Sequence, residues 1–158
     1  MENRFTNKVI YQLALRTFTN EGTLSAAEKL LPHLKECGFD IIYFTSLFTM
    51  DDGADKTYWS KRQKESPAEN AKNCYRVKDY YSIDPEFGTE EDLKSFIKTA
   101  HSLGLLVMLD LVYFHCGPNA VFLKENPDFV ERNEDGSYKL GNWAFPRLNH
   151  QNPKVREY

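Results

Sequence analysis

Apolar residues in this chain fall into three short continuous runs, separated by stretches with a helical period. Val9-Ile10-Tyr11-Gln12-Leu13-Ala14-Leu15 begins with β-branched and aromatic residues and predicts a buried strand, which Asn20-Glu21-Gly22 breaks. Ser25-Ala26-Ala27-Glu28 has the spacing of a capping box. Leu30, Leu31 and Leu34 follow on one face and Gly38 stops them, so a helix is expected, with a kink or restart at Pro32. Asp40-Ile41-Ile42-Tyr43-Phe44-Thr45 predicts a second strand, too continuously apolar to have one face in water. Leu93, Phe96, Ile97, Ala100 and Leu103 then recur at 3.6-residue spacing. Thr89 and Asp92 stand as cap at one end and Gly104 as stop at the other, which predicts a second helix. The run from Leu105 to Val112 predicts the third strand and is the most hydrophobic stretch of the chain.

Strand, helix, strand, helix, strand, with helices long enough to be crossovers, predicts parallel pairing, right-handed connections and an α/β fold. The long polar segments follow strands, whereas a return such as Cys37-Gly38-Phe39 is short. Thr49 to Asn73 has neither helical nor strand period and reads as a loop, its charge run Lys61 to Glu65 as a solvated face. From Tyr113 onward the alternation stops. Glu134-Asp135-Gly136-Ser137 signals a turn there, and Asn152-Pro153 starts another helix. Residues 1–112 are therefore expected to form the strand-helix body, and 113–158 an insertion after the third strand.

Composition narrows the partners. A chain of 158 residues with 41% hydrophobic content has the length and apolar supply of one domain. Its net charge of −3 gives no electrostatic footprint for nucleic acid or for an anionic membrane surface. No run is long enough to span a bilayer, and Met1-Glu2-Asn3-Arg4 leads into the first strand without the pattern of a secretory leader, so a cytoplasmic address is expected. The three cysteines, Cys37, Cys74 and Cys116, are odd in number and far apart, which argues against a disulfide framework and a zinc site. Aromatic residues make up 14%, a supply that suits a core and also a carbohydrate-binding cleft.

Three constellations fall at strand ends or in the loops after them. The first comprises Tyr75, Asp79-Tyr80, Ile83-Asp84-Pro85 and Phe87-Gly88-Thr89, running into Ala100-His101-Ser102-Leu103-Gly104 at a helix end. The second is Asp110-Leu111-Val112-Tyr113-Phe114-His115. The third is Phe145-Pro146-Arg147-Leu148-Asn149, followed by Asn152-Pro153-Lys154-Val155-Arg156. In this order and spacing they resemble the α-amylase family of glycoside hydrolases, over essentially the whole chain and closest to its maltodextrin- and pullulan-acting branch. The second matches the family's Asp-x-Val-x-Asn-His motif at every position but Phe114. The third is similar to its Met-Pro-Lys-Leu-Asn type.

The resemblance implies the first three strand-helix units of a (β/α)8 barrel plus an excursion after the third strand, with the barrel incomplete. It also implies a parent protein that hydrolyses or transfers α-linked glucans with retention of configuration. Tyr75 matches the aromatic that stacks on the sugar at the cleavage subsite, where the C–H face of a pyranose lies well on a ring. Asp110 matches the aspartate that supports the pocket, and His115 the histidine that binds a hydroxyl of the same sugar, one ring nitrogen donating while the other accepts. Phe114 stands where many members have a calcium-ligating asparagine. A phenyl ring offers a hard cation no oxygen, so no metal and no other cofactor is expected. Cys74 stands where a glycine usually precedes the stacking tyrosine.

No catalytic residue is expected within the chain. The family's aspartate nucleophile, its glutamic acid and a further aspartate follow later strands, beyond residue 158. The isolated chain should therefore be inactive and expose apolar surface at the open edges of its sheet. Taken one at a time, the residues have plainer readings: Tyr75 as a surface aromatic, Asp110 as a backbone cap, His115 as a satisfied buried histidine, Trp143 and Asp79 as structural groups. Two rival functions stand beside the enzyme. One is a non-catalytic amylase-like domain. The other is an unrelated barrel acting on a phosphorylated metabolite, for which the chain has no glycine-rich phosphate loop.

Overall fold

The computed structural model describes residues 5–158 and divides them into two compact units, one of residues up to 47 with 83–110, the other of 48–82 with 111–158. Met1 to Arg4, on which the expectation of a leaderless start partly rests, lie outside the described residues. The division differs from a single cut after residue 112. The polar stretch after the second strand does not belong with the strand-helix body but forms one unit with the excursion, to which Asp51 is bonded through the Asn119 N–H (2.7 Å) and side-chain amide (3.1 Å).

The first unit is the expected α/β core. Strands β1 (Ile10–Leu13), β2 (Ile41–Phe44) and β5 (Leu106–Leu109) form a parallel sheet in the order β1-β2-β5, with Ile10 opposite Ile41 and Ile41 opposite Leu106. Short helices α1 (Leu15–Phe18), α2 (Leu24–Glu28) and α3 (Leu31–Glu36) connect β1 to β2, and the longer α5 (Glu90–Ser102) precedes β5. The expected helix over 25–37 is thus two pieces, broken at Lys29–Leu30, with Pro32 in the first turn of the second, where its missing N–H is harmless. The cap is corrected as well. Thr23, not Ser25, accepts the Ala26 N–H, while Ser25 donates to Asp92 (2.8 Å) and Glu28 accepts from Thr99 (2.6 Å), so those side chains tie α2 to α5. Helix α5 has the expected box, Thr89 and Asp92 satisfying each other's backbone.

Phe44, Phe96, Ile41, Ile42 and Leu13 are wholly buried, and the rings of Phe44 and Phe96 lie 4.8 Å apart. Central β2 is as apolar and enclosed as its sequence requires. The outer strands are not: Ile10 is 51% exposed and Leu109 42%, because each of these strands is paired on one side only. The expected third strand over 105–112 is accordingly shorter, 106–109, and half open to solvent despite its composition.

The second unit has little regular structure. It holds β3 (Phe48–Met50) paired with β4 (Val77–Ile83), the one-turn helix α4 (Lys61–Glu65) and, at the end, α6 (Pro153–Glu157). The segment read as a featureless loop therefore contains α4, with a full capping box between Ser60 and Gln63. A small core of Cys116, Phe122, Phe129, Val130 and Leu148 closes the excursion. Among the described residues no helix is long and apolar enough to cross a membrane.

Candidate functional site

Tyr75 is held in place through its neighbour. Arg76 is wholly buried and donates through Nη2 to Asp51 (2.8 Å), itself wholly buried, and to the Gly53 carbonyl (3.0 Å). Burial lowers the guanidinium's pKa and the Asp51 carboxylate raises it again. Asp51 also accepts from the backbone N–H groups of Asn119 (2.7 Å) and Gly53 (2.8 Å). There is no spare room, since a Cβ on Gly117 would lie 2.4 Å from that of Asp51. From this knot the chain runs back one residue to Tyr75, whose N–H donates to Asn73 Oδ1 (2.9 Å); Asn73 in turn donates to Gln63 Oε1 (3.1 Å).

His115 is fixed from two further sides. Segment 114–117 bonds residues 146–148 through Cys116 N–H to Pro146 O (3.0 Å) and Leu148 N–H to Phe114 O (3.1 Å), and Gly117 N–H reaches Val77 O (2.6 Å). The buried hydroxyl of Tyr80 shares its single proton between the carbonyls of Val112 (3.0 Å) and His115 (2.9 Å). This gives the Asp-Tyr pair of the first motif a use: Tyr80 pins the turn that carries the histidine. Asp79 accepts from Ser82 (2.7 Å) and from the Tyr81 N–H (2.9 Å), a local structural role as expected.

His115 is 8% exposed, its ring 5.0 Å from the ring of Phe145 and 6.0 Å from that of Trp143. Desolvation lowers its pKa, with partial opposition from a hydrogen bond to the Tyr75 backbone. Its Nε2 is buried without a hydrogen-bond partner, so the Tyr75 bond uses the other nitrogen. A neutral imidazole that donates from Nδ1 leaves Nε2 as an acceptor, which suits a hydroxyl group. Leaving such an atom unpaired costs about 1–3 kcal/mol, which a ligand hydroxyl would offset.

Tyr75 and His115 line the same cavity of about 760 Å³, with Trp143 and Phe145 beside them and Ser60, Asn73 and Asn142 among its polar groups. The volume lies in the range of about 300–1,000 Å³ usual for small-molecule sites. All its lining residues belong to the second unit. Asp110 belongs to the first, at the end of β5; its N–H donates to Phe44 O (3.1 Å), and its carboxylate accepts from the Tyr43 phenol, raising the pKa of Tyr43. Sequence reasoning treated Trp143 as structural, and the structure puts it in the cavity wall. Among the described residues no group of three or more His, Cys, Asp or Glu side chains could hold a metal ion.

Against known proteins, the family model for the α-amylase catalytic domain matches residues 5–157. The maltogenic α-amylase of Bacillus acidopullulyticus is 29% identical over 87% of this chain and 23% of its own length, and a cyclomaltodextrinase of Bacillus sp is 29% identical over 87% and 25%. Among solved structures, an α-amylase from Lactobacillus plantarum superposes with a TM-score of 0.82 at 28% identity, over 96% of this chain and 34% of that one. A maltogenic α-amylase from Thermotoga neapolitana gives 0.79 at 26%, over 96% and 34%. The chain thus spans about a fifth to a quarter of the length of the curated relatives it matches, and its three-stranded sheet is the N-terminal part of a (β/α)8 barrel.

Proposed function

The chain belongs to the α-amylase catalytic-domain family, and from that membership we propose that it supplies one sugar-binding wall of a retaining hydrolase or transglycosylase acting on α-linked glucans. The observation that carries the reading is the pairing of Tyr75 with His115 on one cavity, the imidazole held neutral and one of its nitrogens left unpartnered. A pyranose on this surface would place a C–H face on the tyrosine and a hydroxyl on the histidine. In glycosidases such contacts strengthen as the ring flattens toward an oxocarbenium ion. Asp110, at the end of β5, is read as the family's supporting aspartate.

Retention needs two carboxyl groups about 5 Å apart across the scissile bond. We assign both to residues beyond 158, and the chain alone is inactive in this reading. A calcium ion at the family position does not fit the residues present. Phe114 offers the ion no oxygen, and the Arg147 guanidinium lies 5.3 Å over its ring, a place hostile to a second cation. The relatives named above support α-glucan as the substrate class.

The test is direct. The purified chain, titrated with maltose and maltotriose by calorimetry, should bind, and Tyr75→Ala or His115→Gln should weaken binding at least tenfold while leaving the circular dichroism spectrum unchanged. It should release no reducing sugar from maltodextrin. Absence of α-glucan binding, or indifference to both substitutions, would overturn the assignment of the cavity; measurable hydrolysis would overturn the assignment of the carboxylates.

A further inference from the structure

We infer that Trp143 is a second carbohydrate platform in this cavity, holding the glucosyl unit next to the one at Tyr75 and His115 and making the site selective for oligosaccharides over a single sugar; this rests on the functional reading above.

The chain's two tryptophans are treated in opposite ways. Trp59 is 3% exposed and its indole N–H donates to the Gly53 carbonyl (3.1 Å). Trp143 is 57% exposed, lines the cavity, and its indole N–H makes no hydrogen bond among the described residues. A large ring left in water with its donor unused is the arrangement that a sugar's C–H face and neighbouring hydroxyl can satisfy together. The exposure is built in. Gly141 and Phe145 close a tight turn (Gly141 N–H to Phe145 O, 2.9 Å), Ala144 within it takes the left-handed φ of +63°, and Phe145 anchors it at 2% exposure against the His115 ring. One side of the turn is thereby buried and the next residue but one is presented to the cavity. A non-glycine residue with positive φ is uncommon and tends to persist where function requires the geometry. At about 760 Å³ the cavity is also larger than one hexose needs, and Ser60, Asn73 and Asn142 offer a hydroxyl and two amides to further sugar hydroxyls.

The experiment compares glucose, maltose and maltotriose on the intact chain by calorimetry, with tryptophan fluorescence as a proximity readout. Maltotriose should bind at least tenfold more tightly than glucose and perturb the emission. Trp143→Ala should erase that preference with glucose affinity held within twofold, and Trp143→Phe, which keeps a ring, should restore most of it. Trp59 emission reports whether each variant is folded. The platform is refuted if Trp143→Ala leaves the maltotriose-to-glucose ratio unchanged, or lowers both affinities alike. If His115→Gln abolishes glucose binding while the ratio in Trp143→Ala is unaltered, the platform alone fails. If the unmodified chain binds none of the three sugars, the functional reading fails with it.

Discussion

The two units of this chain solve the same problem, fixing a short backbone in place, with opposite materials. The first relies mainly on apolar burial on regular elements: Phe44, Phe96, Ile41 and Ile42 are closed off between sheet and helices, and its ion pairs, such as Arg16 with Glu86, are partly exposed. The second fixes loops around a wholly buried ion pair, Asp51 with Arg76, whose remaining hydrogen-bond capacity is taken up largely by backbone. A hydrophobic core positions elements, whereas a buried polar knot can position single residues of irregular chain, here Tyr75, which directly precedes Arg76. Directional bonds suit a binding wall, since hydrophobic contact is roughly proportional to area and indifferent to direction.

The contrast breaks first under substitution. Arg76→Met should cost about 3–5 kcal/mol, because it leaves the Asp51 carboxylate buried and uncompensated. Phe96→Ala should cost a similar ~3–5 kcal/mol through a cavity. The difference lies in the second replacement. Adding Asp51→Leu to Arg76→Met should cost less than the sum of the singles by more than about 1 kcal/mol, since neighbours in one network couple by roughly 0.5–3 kcal/mol. Urea denaturation followed by Trp59 fluorescence measures this, as that indole is bonded into the knot through Gly53. Simple additivity at Asp51 and Arg76 would mean the pair is not the organising feature argued above.

A smaller effect follows from His115. Its folded-state pKa lies below the ordinary value of 6.5, because burial disfavours the charged form. The unfolded chain therefore takes up the proton first as pH falls, and stability present above about 6.5 is lost as pH drops through 6.5 toward the folded value. Denaturation midpoints at pH 7.5, 6.5 and 5.5 should fall in that order, and His115→Gln should flatten the trend. A trend that survives the substitution would locate the titrating group elsewhere.

How much of this could be read from sequence divides along the same line. The first unit was legible because Thr89, Asp92 and the spacing from Leu93 to Leu103 repeat one message over 13 residues of α5. The Ser60–Gln63 box carries the same cap signal, but it opens a helix of 5 residues with no apolar stripe, so nothing reinforced it. Arg76 gave no sign of burial, because an arginine becomes buriable only when a distant aspartate is folded against it. The motifs around Tyr75 and His115 located the cavity wall, yet nothing in the sequence marked the exposure of Trp143 beside it: what presents it is the left-handed Ala144, a position where glycine or asparagine would have announced the turn.

That turn gives the smallest and most local prediction. Replacing Ala144 by glycine removes a Cβ from a left-handed residue, a relief of roughly 1–2 kcal/mol, and adds unfolded-state freedom worth about 0.5–1 kcal/mol in the other direction. The net is a stabilisation of about 0–1.5 kcal/mol, read as a small rise in the urea midpoint. The presentation of Trp143 should be unchanged, because glycine enters positive φ freely, whereas Ala144→Val, β-branched and intolerant of that region, should destabilise the turn and shift the tryptophan emission. If glycine instead destabilises the chain by more than about 1 kcal/mol, the Ala144 methyl is packing rather than strained. The turn would then be held by burial, as the first unit is, and the distinction between the two units would not extend to the cavity rim.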